Sequence, residues 1–163
     1  MSAVIAREEI LDVDYGSCAY TLGGSPVACA AALASLDELE GGIIRNGEQT
    51  GLVLGAELSA RLERFAVIYE VRVAGLLVGI EVVDDRESGV PSPSYAAAIV
   101  YRCFELGLIA MCVGVESNVI ELTPPLTLSC EDAVLGATII ERAVSDVVSG
   151  NFDTAKLAKY PGW

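Results

Sequence analysis

The residues best equipped for chemistry lie between Tyr20 and Leu36 of this 163-residue chain, in the stretch YTLGGSPVACAAALASL. Two hydroxyls, Tyr20 and Thr21, precede Gly23 and Gly24, and Ser25-Pro26 then opens an alanine-rich run. Ser25 is suited to cap a helix, and Pro26 to fill its first turn, where a backbone N–H would have no partner anyway. A threonine hydroxyl beside the free amides of a helix N-terminus makes a seat for a phosphate. The same letters also describe an ordinary loop entering an ordinary buried helix. The pattern alone leaves both readings open.

Absences narrow the chemistry further. The chain has no histidine, which excludes every Ser-His or Cys-His nucleophile. Its only lysines, Lys156 and Lys159, fall in the C-terminal tail, so no lysine is expected in a core pocket. Five cysteines, at positions 18, 29, 103, 112 and 130, form an odd set with no C-x-x-C pair. They are expected to be reduced, mostly buried small residues. Structural zinc has no ligand set of the usual spacing. Glu81 and the Asp84-Asp85 pair read as surface charges without a catalytic role.

The formal charge of −13 argues against nucleic acid or an anionic membrane as a partner. With 53% apolar residues and a mean hydropathy of +0.51, the chain is too apolar to be disordered. No uninterrupted run reaches the roughly 18 apolar residues of a spanning helix. The start, MSAVIAREEIL, lacks the basic and apolar regions of a signal peptide, so a cytoplasmic location is expected. A chain this apolar is expected to have part of its surface covered by a partner.

The elements that must position the chemistry follow from periodicity. Residues 3–6 read as a short strand and 7–10 as the start of a helical turn. Residues 11–24 read as a loop, and 26–40 as a helix that Gly41-Gly42 ends. Apolar and glycine positions three or four apart (Ile44, Gly47, Gly51, Leu54, Leu58, Leu62 and Phe65) predict a second helix over 43–65. Its glycines imply close packing against a neighbour, and Arg45, Glu48, Glu57, Arg61 and Arg64 a solvated face. From 67 to 83 the residues turn β-branched around Gly75 and Gly79, as in two short strands or one bulged strand. A helix over 94–106 follows, with Ala97, Val100 or Tyr101, and Phe104 inward and Gly107 beyond its end. Strands are expected over 108–113 and 119–122, the second stopped by Pro124-Pro125. Ser129 caps a last helix to about residue 149, with Val134, Ala137, Ile140, Val144 and Val147 inward. The order predicts an α+β fold, a small, largely antiparallel sheet packed by helices and preceded by a long helical segment.

With these residues in view, a resemblance emerges. The run Thr21-Leu22-Gly23-Gly24-Ser25-Pro26-Val27-Ala28-Cys29-Ala30-Ala31-Ala32-Leu33 resembles the T-[FY]-G-G-N-P-[VL]-A-C-A-A-A-L segment of class III aminotransferases, pyridoxal-phosphate enzymes of fold type I. Val71 to Glu81, VRVAGLLVGIE, is similar to their V-R-G-x-G-L-M-x-G-I-E strand pair. Asn118 to Leu126, NVIELTPPL, is similar to their N-V-[IL]-R-x-x-P-P-L strand end. Together the motifs and the helices between them cover residues 2–149.

The resemblance implies that the chain corresponds to the last edge of the large domain plus the C-terminal small domain. Residues 1–24 would be the large-domain remnant and cofactor loop, 25–66 connecting helices, 67–150 the small domain and 151–163 a tail. The cofactor lysine, the aspartate facing the pyridinium nitrogen and the stacking aromatic would lie upstream, so this chain alone is expected to be inactive, with no catalytic residue of its own. In the family, the loop matching Tyr20 and Thr21 reaches the phosphate of the dimer mate's pyridoxal phosphate. Tyr20 and Thr21 are therefore the candidate cofactor contacts, and a dimer or the missing large domain the candidate partner. Leu22 departs from the usual aromatic and Ser25 from the usual Asn. Glu121 departs from an arginine that holds a substrate carboxylate in many members, and a glutamate cannot bind a carboxylate as a guanidinium does. Either the parent enzyme binds substrate without that contact, as in relatives acting on amines or amino alcohols or as lyases or epimerases, or Glu121 is a strand residue facing solvent. A non-catalytic, self-associating fragment is the alternative from another class.

Overall fold

The valine-rich stretch from 67 to 83 forms the hairpin around which most of the chain is built. In the computed structural model, which describes residues 4–14, 17 and 20–159 (of 158 and 159 the backbone only), it gives β1 (Ile68–Ala74) and β2 (Leu77–Val82). The pair is antiparallel, with Ala74 opposite Leu77 and a register shift between Ile68 and Glu70. Gly75, at φ +59, leads the two-residue connection, a position where glycine is favoured because it adopts positive φ freely.

Two units make up the chain, Met1–Ile43 and Ile44–Trp163. In the first, α1 (Glu8–Leu11) is followed by α2 (Pro26–Glu38) and a π-helical turn, Leu39–Ile43. The expected strand over 3–6 does not form in its described part. Val4 and Ile5 are 81% and 95% exposed, with no second strand there to take up their backbone bonds. The helix from Pro26 ends two residues earlier than expected, and Gly42, at φ +139, interrupts the helical backbone beyond it. No residue of α2 is buried.

The second unit begins with α3 (Ile44–Leu62) and continues after the hairpin with α4 (Pro93–Glu105), β3 (Met111–Val113), β4 (Val119–Leu122) and α5 (Cys130–Val148). A short 3₁₀ segment, Thr154–Lys159, closes it. The sheet runs β1-β2-β4-β3 with every neighbouring pair antiparallel. This is the α+β arrangement the element order predicts. One sheet face, carrying Val78, Ile80, Val82, Ile120 and Leu122, is buried with Leu54, Leu58, Leu62, Ile99 and Ile140 of the helices. Each such fully buried aliphatic side chain stabilises the fold by roughly 1.5–3 kcal/mol.

Close approach explains the glycines of α3. A Cβ on Gly51 would stand 2.2 Å from the Gly75 carbonyl oxygen, and one on Gly55 2.8 Å from Val73 Cγ2. Helix α3 thus lies directly on the hairpin turn. Asn46 Nδ2 donates to the carbonyls of Leu126 (2.7 Å) and Leu128 (3.0 Å), tying α3 to the loop after β4.

Several expectations change in this unit. On α4 the buried residues are Ala96, Ala98, Ile99 and Cys103, while Phe104 is 63% exposed. The strand expected over 108–113 keeps only Met111–Val113. Arg61 is not merely solvated, because it bonds Glu57 and, 80 residues away, Glu141 at 2.9 Å. Arg102 likewise reaches Asp146 at 2.7 Å, so α5 is tied to both α3 and α4. Ser129 caps α5 as expected, accepting a bond from the Asp132 amide at 3.0 Å. Cysteines are less buried than expected: of those described, only Cys103 is fully buried, and Cys130 is exposed. Cys18 lies outside the described residues.

Candidate functional site

Tyr20 and Thr21 both stand exposed at the start of a turn in the first unit. The Gly23 amide donates to the Tyr20 carbonyl (3.1 Å) and the Ser25 amide to the Leu22 carbonyl (3.2 Å), which winds the chain back toward α2. Gly24, at φ +69, makes the reversal. Ser25 holds the N-cap position, but its side chain makes no capping bond, contrary to the sequence expectation. Its ψ of 126° begins an extended entry to the helix. The Val27 and Ala28 amides therefore gain nothing from Ser25, and the first turn of a helix offers them no internal partner. With Pro26 contributing no N–H, the donors at this end are those two amides and the nearby hydroxyls. They fit an anion such as phosphate, which the helix dipole also favours.

Glu121 belongs to the second unit. It stands on β4 opposite Gly79 of β2 and Met111 of β3, and Gly79 is in turn opposite Arg72 of β1. Alternation puts Arg72, Leu77, Gly79, Glu81, Val119 and Glu121 on the face away from the buried aliphatics. There Arg72 Nη1 donates to Glu70 at 3.0 Å and also to Glu81. Those bonds, Glu81's first and then Glu70's, hold the Arg72 guanidinium above its ordinary pKa. Arg72 Nη2 lies 3.9 Å from where a Gly79 Cβ would be. The Glu121 side chain takes part in no hydrogen bond or ion pair among the described residues. An open groove of about 260 Å³ runs between these groups, walled by Leu77 and Val119.

Sequence reasoning singled out Glu121 but passed over Arg72. The signal for it was present, since a hairpin turning at Gly75 places residue 72 beside 79 on one face. Lys156 is not drawn into any pocket: it lies at the surface, bonded to Glu105. Cys103 is no nucleophile either, because burial pushes its thiol up to about 12.

Comparison with known proteins decides the lineage. The family model described as aminotransferase class-III matches residues 1–144. The chain belongs to the class-III aminotransferase family. Among curated relatives of this class-III chain, the alanine/serine racemase of Pyrococcus horikoshii is 40% identical over 154 residues, covering 94% of this chain and 32% of the relative. The leucine/methionine racemase of Thermococcus litoralis is 36% identical, covering 100% of this chain and 37% of its own length. A solved Bacillus anthracis aminotransferase superposes with a TM-score of 0.74 at 30% identity, over 85% of this chain and 34% of that one. The class-III chain thus spans about a third of the length of the curated relatives it matches.

Proposed function

We propose that this chain is the C-terminal part of a pyridoxal-phosphate enzyme acting on amino groups, and that its Tyr20–Ser25 turn supplies contacts to the cofactor phosphate. The observation that carries the reading is the uncapped start of α2 beside Thr21, in a chain of this family. Thr21 would donate its hydroxyl, the Val27 and Ala28 amides would add the helix N-terminus, and Tyr20 would flank them. The residues described at the turn fit the phosphate but not covalent attachment, since no lysine stands among them and Lys156 is bonded to Glu105. The cofactor, when bound, supplies an electron sink for bonds at the amino-bearing carbon. The proton-moving lysine comes from a segment of the enzyme outside these 163 residues.

Amino transfer is the family's reading. Racemisation or epimerisation of an amino acid is the second, favoured by the 40% identity to an alanine/serine racemase. Assembly supports both. Val27, Leu33 and Leu36 of α2 are 80%, 63% and 52% exposed, apolar surface suited to a homodimer mate or the lysine-bearing domain. No helix among the described residues is long and apolar enough to cross a membrane, and the acidic charge does not favour nucleic acid.

The test supplies this chain with a polypeptide carrying the lysine-bearing domain of a relative, then follows alanine with and without a keto acid. Activity that needs both polypeptides, and falls when Thr21 is replaced by Ala, supports the proposal. Equal activity from the 163-residue chain alone would end it. Loss of alanine optical activity without a keto acid selects racemisation, and dependence on the keto acid selects transfer.

A further inference from the structure

Strand β1 forms one border of the sheet, and Tyr69 and Val73 along it are exposed. In a hairpin with a two-residue turn, the flanking Ala74 and Leu77 exchange both backbone bonds. The exchange recurs at every second residue, at Arg72 with Gly79 and at Glu70 with Glu81. The N–H and C=O groups of Val71 and Val73 therefore point outward, where nothing among the described residues bonds them. Only the beginning of the strand is closed, by Arg86, whose Nε (3.0 Å) and Nη2 (2.9 Å) donate to the Ile68 carbonyl. An open edge of this kind is a template for another strand.

We propose that the outer edge of β1 pairs with the same edge of a second copy of this chain, antiparallel about a two-fold axis at Val71. Charge selects both the partner and the register. Centred on Val71, the pairing sets Glu70 opposite the partner's Arg72, and Arg72 opposite the partner's Glu70, on the sheet face away from the buried aliphatics. Val71 and the partner's Val71 exchange the outward backbone bonds. That leaves Glu70 and Arg72 at the closer, non-hydrogen-bonded positions, where facing side chains interact most. A shift of the axis by one residue instead sets two Glu70 or two Arg72 side chains against each other, which is unfavourable. Within one chain Arg72 Nη1 donates to Glu70 and Glu81. Its Nε and Nη2 carry no bond among the described residues, so donors remain for the partner's carboxylate. An edge that is its own complement makes an isologous contact and closes as a dimer. The surface lies within the second unit, and the proposal holds whether or not α2 also carries a partner.

Sedimentation velocity of the 163-residue chain and of two charge reversals tests it. Wild type is expected to dimerise at concentrations up to about 1 mM, the weak end of specific association. Glu70→Arg and Arg72→Glu each set like charges across the axis and should weaken the dimer about tenfold or more. Mixed in equal amounts, the two variants regain opposite charges at both contacts and should form a heterodimer of wild-type affinity. Amide exchange at Val71 and Val73 should slow as the wild-type concentration rises. Arg72→Glu also gives up Glu81 and can lose the fold; Glu70→Arg, in which Arg72 keeps Glu81, then decides by itself. The proposal is overturned if wild type stays monomeric throughout that range. It is equally overturned if Glu70→Arg leaves the dimer affinity unchanged, as assembly through α2 alone would, or if the folded variants fail to pair when mixed.

Discussion

The carbonyl oxygen of Gly75 lies 2.2 Å from the point that a Cβ on Gly51 would occupy. Only hydrogen fits there, so the third turn of α3 and the β1–β2 turn are in backbone contact. Gly51→Ala should push the two apart and cost about 1–3 kcal/mol, as overpacking does. Denaturant unfolding reads it as a lower midpoint at unchanged slope. Gly136→Ala on α5 is the contrast, since its Cβ would meet only Leu108 Cδ1 at 3.6 Å. That change should be neutral or stabilising by up to about 1 kcal/mol through helix propensity. Equal destabilisation at both positions would contradict the packing described.

Asn46 holds the loop that follows the strand of Glu121. Its Nδ2 serves two carbonyls, Leu126 and Leu128. Asn46→Ala should cost about 1 kcal/mol, because both bonds go, although the Leu128 carbonyl still accepts from Thr50 Oγ1 at 3.3 Å. Faster amide exchange confined to residues 123–129 would accompany it, and uniform acceleration would not fit.

Acid should loosen the C-terminal strap. The Glu105 carboxyl is held below its usual range, first by Lys156 and then by Arg102. A carboxyl lowered in the folded state contributes stability above its unfolded value, about 4.3, and loses it as pH falls through the lower folded value. Wild type should therefore exceed Glu105→Gln in melting temperature at neutral pH by a small margin, the pair being at the surface. The two should converge in acid. A gap that persists below the folded value would assign the effect to packing.

Thiol chemistry should separate the cysteines. Burial carries Cys103 up to about 12 and also raises Cys112, whereas Cys130 is exposed. An aromatic disulfide reagent at mildly alkaline pH should label Cys130 in the native chain and Cys103 only after unfolding. Rapid native labelling of Cys103 would show that α4 does not bury it.

Much of this fold could be read from residue order. The β-branched run around Gly75 foretold the hairpin, and Gly47 and Gly51 foretold a seam on α3, because both signals are local. Helix α4 was misphased at its ends: PSYAAAIVY carries no charged residue to mark an outer face, so Phe104 seemed as good a core residue as Cys103. Arg61 read as solvated because a partner 80 residues away leaves no local trace. Ser25 read as a cap because its type and place fit one, and only the structure shows that its side chain makes no capping bond. At the sheet, Glu121 stood out through departure from a family pattern, while Arg72, set beside Gly79 by the hairpin turn, has partners in Glu70 and Glu81 that only the structure shows.

The central claim is that this chain contacts cofactor phosphate while the covalent lysine belongs to another segment. Borohydride reduction, which fixes pyridoxal phosphate to the lysine that holds it, followed by peptide mapping, tests this most directly. The mixture contains this chain, the lysine-bearing domain of a relative and the cofactor. The account predicts the label on the added domain alone, with less fixed when Thr21 is replaced by Ala. Stoichiometric label on Lys156 or Lys159 of the 163-residue chain by itself would contradict it.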